Sequence, residues 1–257
     1  MINNPKVSVI IPVYNVGNYL RECLESVINQ TLEDIEIICI NDGSTDSSLQ
    51  ILNEYAQKDE RFIILSQENQ GTGKARNNAL KVIRGKYIAF VDPDDWVELN
   101  AFEQLYNFAQ EHNSQIVQFN YKEYNEYSKE IRNVSFYKRL KKIYNYDLLK
   151  TPYYNWKDIK NNCLCSVDLH AWSHFYNTEF IKKYNVTFGL NSRAEDHLFT
   201  LGAMLVVDKT YYLNEYLYLY RCREGSAVNT RGDDNFQIFE NINLLEKFII
   251  KNGLIED

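Results

Sequence analysis

No apolar run in this chain is long enough to cross a bilayer, and its first residues do not read as a signal peptide. Internal repeats, low-complexity linkers and Cys-x-x-Cys pairs are also missing. The five cysteines, Cys23, Cys39, Cys163, Cys165 and Cys222, are odd in number and lack zinc-ligand spacing. Cys23 and Cys39 fall in apolar patterns and read as core, and the set fits a reducing, cytoplasmic compartment. Positive charge is in short supply, with 28 Lys and Arg against 35 Asp and Glu and a net charge of −7. That balance argues against general nucleic-acid binding, which needs a basic footprint.

The chain does have apolar and aromatic mass. Hydrophobic residues make up 45% of its 257 positions, enough core for one large α/β domain or two small ones. Its 20 Tyr, 13 Phe and 3 Trp offer flat surfaces on which sugars and bases pack. Charge is unevenly spread: residues 1–120 carry 9 basic and 17 acidic side chains, whereas 121–160 carry 10 basic and 5 acidic ones interleaved with tyrosines. The middle segment therefore reads as an insertion. It fits either a contact with an anionic acceptor or membrane surface, or a solvated insertion whose tyrosines pack together.

Val7–Val13, Ile35–Ile40, Phe62–Leu65 and Tyr87–Val91 read as buried strands, with Ile116–Phe119 a fifth. Between them run helical spacings: Leu20, Cys23, Leu24, Val27 and Ile28; Leu49, Leu52, Tyr55 and Ala56 from about Ser47; Ala75, Ala79, Leu80 and Ile83 from about Gly73; and a helix from about Asn100 to Glu111. Gly85 reads as the stop of the third helix. Such alternation predicts a largely parallel sheet covered on both faces, with ligands beyond the carboxyl ends of its strands. After residue 120 the alternation is irregular until Asp168.

The residues with chemistry fall at those strand ends. Asp92-Pro93-Asp94-Asp95 follows the fourth strand. Carboxylates this close raise one another's pKa unless a cation sits among them, and oxygen ligands on a tight turn suit Mg²⁺ or Mn²⁺. A solvated acidic turn before a helix fits the same residues. Asn41-Asp42-Gly43-Ser44-Thr45-Asp46 follows the second strand; it reads as a turn with Ser44 or Thr45 as helix cap, or as a place where Asp42 accepts a hydrogen bond from a base or ribose. Lys74 and Arg76, near a helix start, suggest a diphosphate nearby or plain surface charge, and the loop before them lacks Walker spacing. Ser192 with Glu195 matches a capping box, which leaves Asp196 in the first helical turn as a candidate general base. His170 and His174 have ligand-like spacing on a helix, but Trp172 between them favours a packed aromatic patch.

Taken in order, Ile11-Pro12-Val13-Tyr14-Asn15, Asn41–Asp46, Asn69-Gln70-Gly71 with Ala75-Arg76-Asn77, Val91–Asp95, Trp172, Glu195-Asp196, and Tyr220-Arg221 with Gly225-Ser226 resemble the family-2 glycosyltransferases of the GT-A fold, over about residues 5–230. The bacterial enzymes that build capsule, lipopolysaccharide and other surface glycans are the most similar. The resemblance implies a mostly parallel α/β sheet flanked by helices with a less regular C-terminal half. Residues 1–120 would bind the nucleotide sugar, and 121–257 would carry the acceptor site and the base within the same domain, with 121–160 as the insertion. It implies an inverting, metal-dependent transfer from a nucleotide sugar, most often a UDP-sugar, to a hydroxyl of a glycan or lipid-linked acceptor, at the cytoplasmic side of the membrane.

By the same resemblance, Pro12, Tyr14 and Asp42 hold the base, Arg76 lies near the nucleotide or its phosphates, and Asp92 faces ribose and donor sugar. Asp94 binds Mn²⁺ or Mg²⁺, Asp196 is the catalytic base, Glu195 and Trp172 shape the acceptor side, and Arg221 and Ser226 belong to a loop over the donor. His174 departs from the pattern, standing where many relatives carry Lys, and the 121–160 segment matches nothing in it. Two other readings fit fewer residues. One is a non-catalytic nucleotide-sugar-binding module of a larger polymerase, continued past the apolar helix pattern around Phe239 and Phe248. The other is a sugar nucleotidyltransferase, whose glycine-rich signature the first strand does not supply.

Overall fold

A computed structural model of the chain describes residues 4–144, 147–158, 168–189, 195–223 and 237–254. Strand β1 (Val7–Val13) is buried at every position, as is β2 (Ile35–Asp42). Residues so uniformly buried belong to the interior of a parallel sheet covered on both faces. β3 (Phe62–Gln67), β2, β1 and β4 (Tyr87–Phe90) lie side by side and parallel. Pro12 costs no ladder bond toward β4, because that pairing ends at Ile10 opposite Phe90. Helices α1 (Gly17–Ile28), α2 (Ser48–Ala56), α3 (Thr72–Leu80) and α4 (Ala101–Glu111) follow these four strands in turn along the chain. On α1, Leu20, Cys23, Leu24 and Val27 are buried at the expected spacing.

Two local expectations fail for physical reasons. Helix α3 stops at Leu80, and Gly85 is not its terminator. A Cβ on Gly85 would stand 2.4 Å from the Ser8 backbone nitrogen. Its N–H donates to Ser8 Oγ at 2.9 Å and to the buried Glu36 carboxylate at 3.2 Å. Gly85 is therefore a close approach of the chain onto β1. The cap before α2 is likewise neither Ser44 nor Thr45: Asp46 Oδ1 accepts from Ser48 N at 2.9 Å. Asp46 Oδ2 and Ser48 Oγ accept from Gly17 N and Val16 N and so satisfy the start of α1.

The second half completes the sheet in a less regular way. β5 (Trp96–Val97), β6 (Ile116–Asn125), β7 (Ile131–Val134), β8 (Tyr153–Tyr154), β9 (His174–Asn177) and β10 (Thr210–Cys222) join β1–β4 in one sheet among the described residues, whose main path runs β3-β2-β1-β4-β9-β6-β10-β5. β9 is antiparallel to both its neighbours, β4 and β6, and β10 is parallel to β6. Hence β1, β2, β4, β6 and β10 all point the same way, and the start of β9 reaches the edge where those strands end.

Helices α5 (Phe136–Tyr144), α6 (Thr178–Tyr184), α7 (Glu195–Val206) and α8 (Gln237–Lys251) surround this half. Within the 121–160 segment, Phe136, Leu140, Leu148 and Tyr154 form a small core of their own with Met204 and Tyr212, and Tyr127 is exposed. No helix among the described residues is long and apolar enough to cross a membrane.

Candidate active site

The carboxyl edge of the sheet gathers residues far apart in sequence. Arg76, on α3, is 2% exposed yet donates to three carboxylates. It meets Asp92 at 2.6 Å and Glu195 at 3.2 Å, and contacts Asp196 as well. Its guanidinium also lies over the Phe188 ring, 5.2 Å from the centroid. Burial disfavours the Arg76 charge, but Asp196, Asp92 and Glu195 outweigh it and raise its pKa. Burial next to Asp196 raises Glu195 to about 7, against the pull of Arg76. Asp196, in the first turn of α7, also accepts from Ala171 N at 3.1 Å.

Each carboxylate of the acidic turn meets the protein's own groups, and two of the three pair with arginines. Asp92 is paired with Arg76. Asp94 Oδ2 accepts from Arg223 Nε and Nη2, both at 2.8 Å. Asp95, 1% exposed, accepts from Tyr218 Oη and from Arg221 N, both at 2.7 Å. Desolvation, with Asp94 and Asp92 beside it, pushes Asp95 well above the usual carboxylate range. Tyr218 Oη in turn accepts from Asp92 N at 3.0 Å, so one tyrosine fixes both ends of the turn.

Arg221 packs against the acidic turn. Its side chain pairs with Glu22, donates from Nε to Asp94 O at 2.8 Å, and lies among Tyr19, Trp96 and Tyr124 with centroids 5.2, 4.6 and 5.5 Å away. Asp42 ties down the loop after β3, accepting from Gln67 Nε2, Gln70 N and Gly71 N at 2.7, 2.9 and 2.8 Å. Pro12 is buried in β1, and Tyr14 follows it, exposed. Trp172 lies in a single 3-10 turn, Ala171–Ser173, stacked on Tyr218 at 4.4 Å and on His170 at 4.8 Å. At 3% exposure it supports the site from behind and presents no open ring face. His170 stacks on Trp172 and pairs with Asp168, whereas His174 begins β9, is buried and lies tilted against Tyr176. Ser226 and Ser192, and with Ser192 the capping box, lie outside the described residues.

Asp92, Asp94, Asp196, Glu195, Arg76, Arg221 and Trp172 are thus linked through direct contacts and the Tyr218–Asp95 bridge. Pro12, Tyr14 and Asp42 sit at neighbouring strand ends. Sequence reasoning missed Arg223 and Tyr218, and gave Asp95 no role of its own within the acidic turn. The signal for Arg223 was a second arginine just past an aromatic strand, opposite an acidic turn in need of cations. Among the described residues no three His, Cys, Asp or Glu side chains form a complete metal cage.

A mostly parallel α/β sheet with an acidic turn after β4 and a carboxylate pair opening a helix defines the class as a GT-A glycosyltransferase fold. The family model Glycosyl transferase family 2 matches residues 8–168, and the chain belongs to that family. Glycosyltransferase GlyA of Streptococcus pneumoniae is 37% identical over 230 residues, covering 88% of this chain and 32% of that protein. Glycosyltransferase GlyG of the same organism is 33% identical over 233 residues, covering 88% of this chain and 74% of its own length. The crystal structure of S. aureus TarS 1-349 in complex with UDP-GlcNAc is similar with a TM-score of 0.76 at 26% identity, covering 95% of this chain and 66% of that one. The chain therefore spans about a third of GlyA and about two thirds of that TarS chain.

Proposed function

We propose that this chain transfers a sugar from a nucleotide-sugar donor, a UDP-sugar, to a hydroxyl of a glycan or lipid-linked acceptor in bacterial surface-polysaccharide synthesis. The observation that carries this reading is the joining of Asp92, Asp196 and Glu195 through the buried Arg76 at the edge where Asp94 also stands. The similarity to TarS bound to UDP-GlcNAc supports the choice of UDP.

In this reading Asp196 takes the proton of the acceptor hydroxyl while that oxygen attacks the anomeric carbon. The bond from that carbon to the diphosphate oxygen breaks on the opposite face, and its electron pair leaves with the nucleotide, so the anomeric centre inverts. Arg76 and Ala171 N hold one carboxylate oxygen each, which fixes the orientation of Asp196. Asp92 is aimed by the same guanidinium toward the donor side. Asp42 holds the Gln67–Gly71 loop as a wall of the base pocket.

The donor set fits a hard divalent ion. Asp94 supplies carboxylate oxygen on a partly open turn, and such ions keep positions for substrate phosphates. Asp94 would hold Mn²⁺ or Mg²⁺, which would offset charge growing on the leaving diphosphate. Calorimetric titration of UDP-, GDP- and CDP-sugars with and without Mn²⁺ tests base, sugar and metal together. Heat from a UDP-sugar only in the presence of Mn²⁺ is the expected result; equal response to all three bases, or none, would remove the donor assignment.

A further inference from the structure

Arg221 and Arg223 leave the end of β10 two residues apart, yet they are used differently. Arg221 is enclosed by Tyr19, Trp96 and Tyr124 and paired with Glu22. Arg223 is the more exposed of the two, its side chain 18% exposed against 7%, and its guanidinium stands 4.7 Å from the Tyr19 centroid. It puts two donors on one oxygen of Asp94. That oxygen cannot take a forked guanidinium and a divalent cation at once. Three carboxylates crowded into four residues nevertheless need a cation in the ligand-free protein.

We propose that Arg223 is a built-in counter-cation, which neutralises Asp94 when the site holds no ligand and moves to the donor diphosphate when a divalent cation takes its place. The proposal rests on the reading of Asp94 as metal ligand. Charge bookkeeping favours such an exchange. A cation arriving alone would displace Arg223 from its carboxylate without bringing a new anion. A cation arriving with a diphosphate provides one, and a planar guanidinium suits phosphate oxygens in the same forked way as it suits a carboxylate. Metal and nucleotide therefore bind cooperatively, and by reciprocity each tightens the other by the same factor.

The test is Mn²⁺ titration of the whole chain, followed by electron paramagnetic resonance of the free ion, with and without UDP. The proteins are the parent, Arg223→Gln, Arg223→Lys and Asp94→Asn. Without nucleotide, Arg223→Gln is expected to bind Mn²⁺ about fivefold more tightly than the parent, the scale of a partly exposed ion pair. At saturating Mn²⁺ it binds UDP more weakly, so the coupling between the two ligands shrinks. Arg223→Lys keeps the charge without the fork and falls between.

Unchanged or weaker Mn²⁺ binding by Arg223→Gln without nucleotide overturns the proposal, as does coupling equal to the parent's. Asp94→Asn separates the two readings. If it binds Mn²⁺ like the parent, Asp94 is no ligand and the proposal falls with it. If it loses Mn²⁺ while Arg223→Gln matches the parent, Asp94 stands and Arg223 alone is dismissed.

Discussion

Arg76 is a buried charge that holds three others, so its loss acts on stability before it acts on chemistry. Arg76→Met leaves Asp92, Glu195 and Asp196 without their shared cation. Removing one partner of a buried pair costs about 3–5 kcal/mol, and a guanidine hydrochloride melt of Arg76→Met should show a loss of that size. Asp196→Asn keeps the shape of the side chain and removes its basicity. Turnover should fall ~10²–10⁴-fold, the usual range for general-base catalysis, with donor affinity little changed by calorimetry; parent-like turnover would remove Asp196 from the mechanism.

His174 supplies a pH prediction at the same scale. Burial lowers its pKa to about 4 from the model-compound value of 6.5. Between those values the unfolded chain binds the proton and the folded one does not, so stability falls as pH drops from 6.5 toward 4. The loss is on the order of 3 kcal/mol for a shift of this size. Urea midpoints for the parent across that range should fall more steeply than those for His174→Gln; parallel curves would sink the assignment.

At the scale of elements, Gly85 is the position where sequence pattern and structure part most plainly. A residue placed to end a helix would tolerate alanine with modest loss. One whose Cβ meets the Ser8 backbone at 2.4 Å forces β1 or β4 to move. Overpacking of this kind costs about 1–3 kcal/mol, so Gly85→Ala should lower the thermal midpoint; an unchanged midpoint would mean the strands adjust freely.

The same contrast shows what could be read in advance. β1, β2 and β4 were legible because each is a short unbroken apolar run ending in polar turn residues, and the acidic turn and Asp196 were legible from their places beside such elements. β9 was not, since four residues beginning with His174 carry no periodic signal and its direction is set by β4 and β6. The arginine partners were hidden for a similar reason: Arg223 and Asp94 are 129 positions apart, and only tertiary folding brings them together. Trp172 and Arg221 were singled out from sequence, but their burial could not be seen there.

Across the whole molecule, the two halves share one sheet, and β9 from the second half sits between β4 of the first and β6, which crosses the boundary between them. The main hydrophobic core therefore draws on both halves. Far-UV circular dichroism and the fluorescence of Trp96, Trp156 and Trp172 are expected to report one coincident unfolding transition, the usual test of a single cooperative unit. Separate transitions would show the halves to be independent.

That inserted reversed strand also has a consequence for synthesis. On the ribosome, β4 is finished roughly 80 residues before β9 appears, a wait of about 4–16 s at bacterial or eukaryotic elongation speeds. Throughout it, one flank of β4 is bare backbone, a template for mispairing with any extended peptide nearby. Nascent chains stalled near residue 130 should therefore recruit chaperones or precipitate, whereas chains released past residue 222, with β9 and β10 both made, should not.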